Sequence, residues 1–213
     1  LQTHDQIGNR AAGERLSQLA GIGRAAIGAT LLLTSPYTPM LFMGEEFAAS
    51  TPWQYFTDHQ EEALAESIRE GRQAEFAEHG WAANVPDPQD PGTVEASTLD
   101  WSEVHQGEHE QMLDWYRTLI RLRRQLPDLR SSALGEGSVA RVDDLLLVRR
   151  GEVNVLANLG DAPGTLSVAP DAELLAFFGE VSLRDGDVQL GPSSVGLLLA
   201  PPPTGTIPVV ITD

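Results

Sequence analysis

The spacing of hydrophobic and polar positions changes character twice along the chain. Between residues 11 and 34, Leu16, Leu19, Ala20, Ile27 and Leu31 recur at helical intervals, with the small residues Gly23 and Gly28 on packing faces. This spacing predicts a helix. Ser35-Pro36 and Thr38-Pro39 end it, because the residue before a proline is pushed out of the α region. Met40-Leu41-Phe42-Met43 is a short apolar run bounded by turn signals, which predicts a strand buried on both faces. The opening residues predict another strand, closing on the polar tip His4-Asp5. Strand, helix, strand is the repeating unit of parallel α/β architecture.

From 47 to 101 the chain is a long connection rich in Pro, Asp, Gln and Glu, with a helix predicted over 61–78. Insertions of this length on a compact scaffold usually serve function. Residues 109–126 predict an amphipathic helix: Met112, Trp115, Tyr116, Leu119, Ile120 and Leu126 form its apolar stripe, while Arg117, Arg121 and Arg124 face outward. The period then drops to that of strands, predicted over 139–142, 145–150, 153–158, 174–178 and 195–199. Asp143-Asp144 and Arg150-Gly151-Glu152 read as reversals, and Arg184-Asp185-Gly186-Asp187 carries a hairpin signal. A small antiparallel all-β domain therefore follows a boundary near 131–137. Residues from Pro201 on read as a loose tail.

Composition narrows the function. With 213 residues and 41% hydrophobic content, the chain can bury one substantial core or two smaller ones. A net charge of −17 supplies no basic stripe, so nucleic acid is not an expected partner. Cysteine is absent, which removes disulfides, thiolate metal sites and a Cys nucleophile. The apolar stretch from 22 to 33 is interrupted by Arg24 and is too short to span a bilayer, so no membrane role is expected. The chain opens inside an element, and the expectation is that it is the carboxyl-terminal portion of a longer protein.

Several groups could carry chemistry. His4 and Asp5 at a strand end could meet a substrate, or could merely cap the turn that follows. Trp53, Tyr55, Phe56 and Trp81 could stack on the apolar face of a ligand, or could pack the long loop. Asp87, Gln89 and Asp90 are held between Pro86, Pro88 and Pro91, which restrict φ; they suit either a preorganised binding loop or a stiff surface turn. Arg69 and Arg72 are read as loop ties through carboxylates. Glu45 and Glu46 are adjacent, point to opposite faces of an extended segment, and so do not make a pair flanking one bond. His105-Gln106-Gly107-Glu108-His109 has the spacing of some zinc peptidases, but it lacks a third ligand and reads as a solvated helix start.

The ordered series of motifs resembles the α-amylase superfamily of glycoside hydrolases. Gln2-Thr3-His4-Asp5-Gln6 is similar to the end of that family's seventh barrel strand, with Thr3 where the family usually has Asn. The segment from Ser35 to Glu46 is similar to its eighth strand and exit. Thr57-Asp58-His59, Arg69-Glu70-Gly71-Arg72, Val85-Pro86-Asp87-Pro88-Gln89-Asp90 and Thr98-Leu99-Asp100-Trp101 follow in the family's order. The Pro-Asp-Pro-Gln-Asp insertion favours the trehalose-releasing group.

The resemblance implies an α/β plus all-β fold. Residues 1–132 would be the carboxyl-terminal part of a catalytic (β/α)8 TIM barrel with a substrate-side insertion, and 133–213 a small antiparallel β-sandwich. It implies hydrolysis of the α-1,4 bond beside the terminal trehalose of maltooligosyl trehalose, with no metal or cofactor, in the cytoplasm. Asp5 would stabilise the transition state. His4, Gln6, Trp53, Phe56, Asp87, Gln89 and Asp90 would bind substrate. The nucleophile and general acid of the family match nothing here, so this polypeptide is expected to be inactive alone. Rival readings are a branching or debranching enzyme of the same superfamily, or a non-catalytic carbohydrate-binding protein.

Overall fold

A computed structural model describes residues 1–78, 85–135 and 137–201. Trp81 and the tail beyond Pro201 lie outside the described residues. In chain order the helices are α1 (His4–Gly8), α2 (Leu16–Ala20), α3 (Ile22–Thr34), α4 (Glu62–Glu78), α5 (Pro91–Ala96), α6 (Gly107–Gln125) and α7 (Pro127–Arg130). The strands are β1 (Gly137–Val142), β2 (Leu145–Arg150), β3 (Val153–Asn158), β4 (Gly164–Ser167), β5 (Glu173–Phe178), β6 (Val181–Arg184), β7 (Asp187–Leu190) and β8 (Ser194–Leu199). The chain divides into two compact units: residues 1–19 with 41–113, and residues 20–40 with 114–213.

Two predicted strands are absent. Residues 1–3 have no regular structure and lead into helix α1, and residues 40–42 are irregular before a turn at 43–44. A parallel strand exists only through the ladder bonds its neighbours supply. Among the described residues nothing pairs with either segment, so apolar pattern alone does not make them strands. The continuous helix predicted over 11–34 is also corrected. Gly13 and Gly21 take φ of +71° and +83°, left-handed values incompatible with a helix interior, and the chain forms the separate helices α2 and α3.

The first unit is built around turns tied to one another. Phe47, Ala49 and Leu99 form its small apolar cluster, joined by Val104 and Leu113. Gln2 accepts the Leu16 N–H at 2.9 Å, which satisfies one of the exposed donors at the start of α2. Asp100 caps the 101–105 turn by accepting the Ser102 N–H at 2.9 Å. The hydrogen bonds from Ser102 hold the Asp100 carboxyl below its ordinary value.

In the second unit the β expectations hold closely. Strands β1, β2, β3, β8 and β5 form a five-stranded antiparallel sheet in that order, and β4, β7 and β6 form a second sheet of three strands. The hairpin predicted at Asp185-Gly186 joins β6 to β7. Leu156 and Leu198 from the larger sheet meet Val188 and Leu190 from the smaller one in a common core. All of β3 is buried, which explains its near-continuous apolar sequence. Helix α3 packs on β8, with Gly23 allowing close approach: a Cβ there would stand 2.3 Å from the Ser193 carbonyl oxygen. The apolar stripe of α6 contributes Trp115, whose Nε1 donates to Thr30 Oγ1 at 3.2 Å and whose ring lies 5.9 Å from that of Phe178.

Asn158 closes this core. Its Nδ2 lies within bonding range of the Ala162, Leu190 and Gly191 carbonyls at 2.8, 3.2 and 3.0 Å, and its Oδ1 accepts the Gly160 N–H at 2.9 Å. Replacing it by Ala strands buried carbonyls and an N–H, each costing about 1–3 kcal/mol. The expected result for Asn158→Ala is a clear fall in the urea midpoint of this unit, with Asn158→Asp also harmful because the carboxylate cannot donate.

Candidate functional site

Thr3 is the N-cap of α1. Its backbone is extended, with φ −139° and ψ 173°, and its Oγ1 accepts the Asp5 N–H at 3.2 Å. The same hydroxyl donates to Gln6 Oε1 at 2.6 Å. Thr3-His4-Asp5-Gln6 therefore has the residue types and spacing of a capping box, a signal the strand reading passed over. Capping turns the next two side chains outward. His4 and Asp5 stand 72% and 73% exposed, with His4 Nε2 3.2 Å from Asp5 Oδ1. Gln6 is engaged by the cap, whereas the imidazole and carboxylate contact each other and are otherwise open to solvent. Ile7 and Gly8, in the last turn, are buried and anchor the helix.

The aromatic residues of the insertion form a chain of edge contacts. The Trp53 ring lies 5.4 Å from Phe42 and 5.2 Å from Phe56, both in T-shaped geometry. Trp53 is fixed through its backbone, whose N–H donates to the Gly13 carbonyl at 2.9 Å. That contact explains Gly13: a Cβ there would sit 2.3 Å from the Trp53 carbonyl oxygen.

Arg72 is held by the same neighbourhood. It donates to the Gly8 carbonyl at 2.8 Å, its guanidinium stacks 4.3 Å from the Tyr55 ring, and burial lowers its pKa. A carbonyl and aromatic faces thus hold Arg72, and Glu75 is the carboxylate that acts on its charge. Arg69 does make the expected tie, with its Nε 2.8 Å from Asp87 Oδ2.

Phe56, Gln89 and Asp90 come together. They line a half-open cavity of about 510 Å³ with Thr57, Asp58, Pro88, Pro91 and Val94. Its walls are two strips of backbone zipped to each other: the Thr57 N–H donates to the Pro88 carbonyl at 2.8 Å, and the His59 N–H donates to Gln89 Oε1 at 3.1 Å. Asp90 caps α5, accepting the Gly92 N–H at 2.8 Å. Asp87 accepts the Gln89 N–H at 2.9 Å through its other oxygen, so it shapes the loop from behind while Arg69 holds it. The cavity has an aromatic side, apolar proline edges and polar groups fixed by preorganised turns. Such a surface suits a polyhydroxylated ring with one apolar face.

One residue essential to this unit was not visible in the pattern. Arg15 is fully buried. Its Nε donates to the Thr51 carbonyl at 2.5 Å and its Nη1 to the Met43 carbonyl at 2.8 Å. Burial lowers its pKa, while Glu46, Glu45 and Glu103 act in the opposite direction. Arg15 thereby fixes the turn after residues 40–43 and the strip that leads into Trp53. Periodicity treats arginine as a surface residue and offers no signal for this role. Glu45, beside it, is buried as well.

No group of three or more His, Cys, Asp or Glu side chains converges to hold a metal among the described residues. His109 of the zinc-like spacing lies with Nδ1 3.0 Å from the Phe47 carbonyl oxygen, tying the start of α6 to the apolar cluster. No helix among the described residues is long and apolar enough to cross a membrane.

Comparison with known proteins bears out the resemblance read from the sequence. The chain is 50% identical over 200 residues to the malto-oligosyltrehalose trehalohydrolase of Brevibacterium helvolum, matching 92% of this chain and 34% of that protein. It is 48% identical over 200 residues to the enzyme of the same name from Rhizobium sp. M-11, with the same coverage. A crystal structure described as an alpha amylase from Salmonella typhimurium superimposes with a TM-score of 0.77 at 35% identity, covering 93% of this chain and 34% of that one. No family model matches the chain. The chain thus spans about a third of the length of the curated relatives it matches.

Proposed function

We propose that this relative of the malto-oligosyltrehalose trehalohydrolases is the sugar-gripping portion of a glycoside hydrolase of the α-amylase type. The reaction is hydrolysis of the α-1,4 bond next to the terminal trehalose of maltooligosyl trehalose, with release of trehalose. Identity of 50% over 92% of the chain to a protein bearing that enzyme name carries the reading. The cavity that gathers Phe56, Gln89 and Asp90 is consistent with it. We infer further that residues 1–132 are the last part of a (β/α)8 barrel, with 1–3 and 40–43 becoming strands once neighbouring strands flank them. Residues 133–213 would be the β-sandwich that follows, its two sheets sharing the core described above. By the same analogy we assign the enzyme to the cytoplasm, without a cofactor.

Retaining glycosidases use one carboxylate as nucleophile and a second as general acid about the scissile bond. Asp5 is neither of these. Its exposed carboxylate accepts hydroxyl protons of the glucose ring that becomes oxocarbenium-like, and those bonds strengthen as positive charge develops. His4 binds hydroxyls of the same ring. Trp53 and Phe56 offer aromatic faces to neighbouring rings, while Gln89 and Asp90 meet hydroxyls at the cavity rim. Asp87 orients that rim.

The bond-breaking carboxylates have no counterpart in this sequence. The chain by itself is therefore expected to release no trehalose from maltooligosyl trehalose. Joined to the part of the Brevibacterium helvolum relative that it does not match, it is expected to release trehalose in preference to cutting maltotetraose. Trehalose release by the chain alone would overturn the division of labour. A joined enzyme that acts on maltotetraose equally well would favour a general α-glucan hydrolase.

A further inference from the structure

A second concavity, of about 520 Å³, lies in the unit formed by residues 20–40 and 114–213, and nothing above uses it. Leu33, Pro39, Ile120, Arg123, Arg124 and Arg130 line it. The lining contains three guanidinium groups and no carboxylate, in a chain whose net charge is −17. Acidic side chains outnumber basic ones 31 to 14 over the sequence, so an acid-free arginine cluster runs against the composition.

The three arginines differ in what occupies them. Arg123 is committed to the backbone: it donates to the carbonyls of Leu33, Ser35 and Tyr37 at 2.6, 2.7 and 2.9 Å. Arg150 takes the intervening carbonyl of Thr34 at 2.8 Å. Together they neutralise the negative carboxyl end of α3, which would otherwise repel an anion. Burial and the neighbouring Arg150 lower the pKa of Arg123, a sign that positive potential there is not relieved by an acid.

Arg124 and Arg130 are different. Both are exposed, and neither makes a hydrogen bond or an ion pair among the described residues. They come from α6 and α7, two helices joined by a single residue, and both line the same concavity.

We propose that Arg124 and Arg130 form an anion site for a small phosphate-bearing molecule, with Leu33, Pro39 and Ile120 as an apolar floor for its carbon skeleton. A phosphate dianion presents several acceptor oxygens to guanidinium forks, and Arg suits this geometry better than Lys. The cavity volume lies within the range of small-ligand sites, roughly 300–1,000 Å³. A phosphorylated sugar fits the combination of charged rim and apolar floor. Neutral sugar lacks the charge that the rim selects.

The test is calorimetric titration of the 213-residue chain with inorganic phosphate, glucose 6-phosphate and glucose, at ionic strength matched with chloride. Saturable binding of phosphate or glucose 6-phosphate is expected, with none for glucose. Tighter binding of glucose 6-phosphate than of phosphate assigns the floor a share in recognition, and equal binding confines recognition to the phosphate group. Each guanidinium removed, in Arg124→Gln and Arg130→Gln, is expected to weaken binding by about tenfold. Because both side chains are exposed, the variants should keep the parent's unfolding midpoint, which is measured alongside. No binding of either phosphate compound, or unchanged binding in the double variant, overturns the proposal.

Discussion

Replacing Asp5 by Asn in the joined enzyme is expected to lower kcat by about 10²–10³-fold, the usual loss when one preorganised group that stabilises transition-state charge is removed. The substitution keeps shape and one acceptor oxygen while deleting the charge. Ground-state binding depends on many hydroxyl contacts, so KM should change only a few-fold. Stability should hardly move. Asp5 is 73% exposed and lies in the first turn of a short helix, where its charge is worth at most about 0.3–1 kcal/mol. A loss of kcat with retained folding identifies an electrostatic role. Equal loss of folding and activity would instead reduce Asp5 to part of the helix cap.

Arg15→Met is the second large effect. The variant removes a buried cation that serves the carbonyls of Thr51 and Met43 and stands beside the buried Glu45. Breaking such an arrangement from one side costs about 3–5 kcal/mol, because the remaining polar groups stay buried without their partner. The midpoint of urea unfolding of the first unit should fall accordingly, while that of the β-containing unit should not. Arg15→Lys should recover little, since a point charge cannot reach both carbonyls as a planar fork does. A loss below about 1 kcal/mol, the scale of an exposed ion pair, would mean that Arg15 is not the hub of this unit.

The contrast between the two units shows what local sequence can carry. Strands β2 and β3 were legible to the residue because they pair with each other across a short reversal and their apolar runs are bounded by turn signals. Strands β4, β6 and β7 were missed as separate elements: each has only four residues, and half of β4 and of β7 faces solvent. Residues 1–3 and 40–43 carry strand-like composition without a ladder partner. Their structure is a property of what lies beside them, not of the residues themselves.

The candidate site divides in the same way. His4 and Asp5 are candidates through motif order, and Phe56, Gln89 and Asp90 through the insertion; the structure brings the latter three to one cavity. Arg15 escaped because nothing in periodicity distinguishes a buried arginine from an exposed one. Thr3 and Gln6 escaped as a cap because the run was read as strand. Capping chemistry at Thr3-x-x-Gln6 was the available signal.

The central claim is that Asp5 binds the charged transition state more tightly than the neutral substrate. The most direct measurement compares two ligands on the joined enzyme and its Asp5→Asn variant: a cationic iminosugar-capped maltooligosaccharide, and the neutral maltooligosaccharide of equal length. The account predicts that the variant loses about a hundredfold in affinity for the cation, in line with the rate loss, and only a few-fold for the neutral sugar. Equal weakening of both ligands, or none of either, would contradict it.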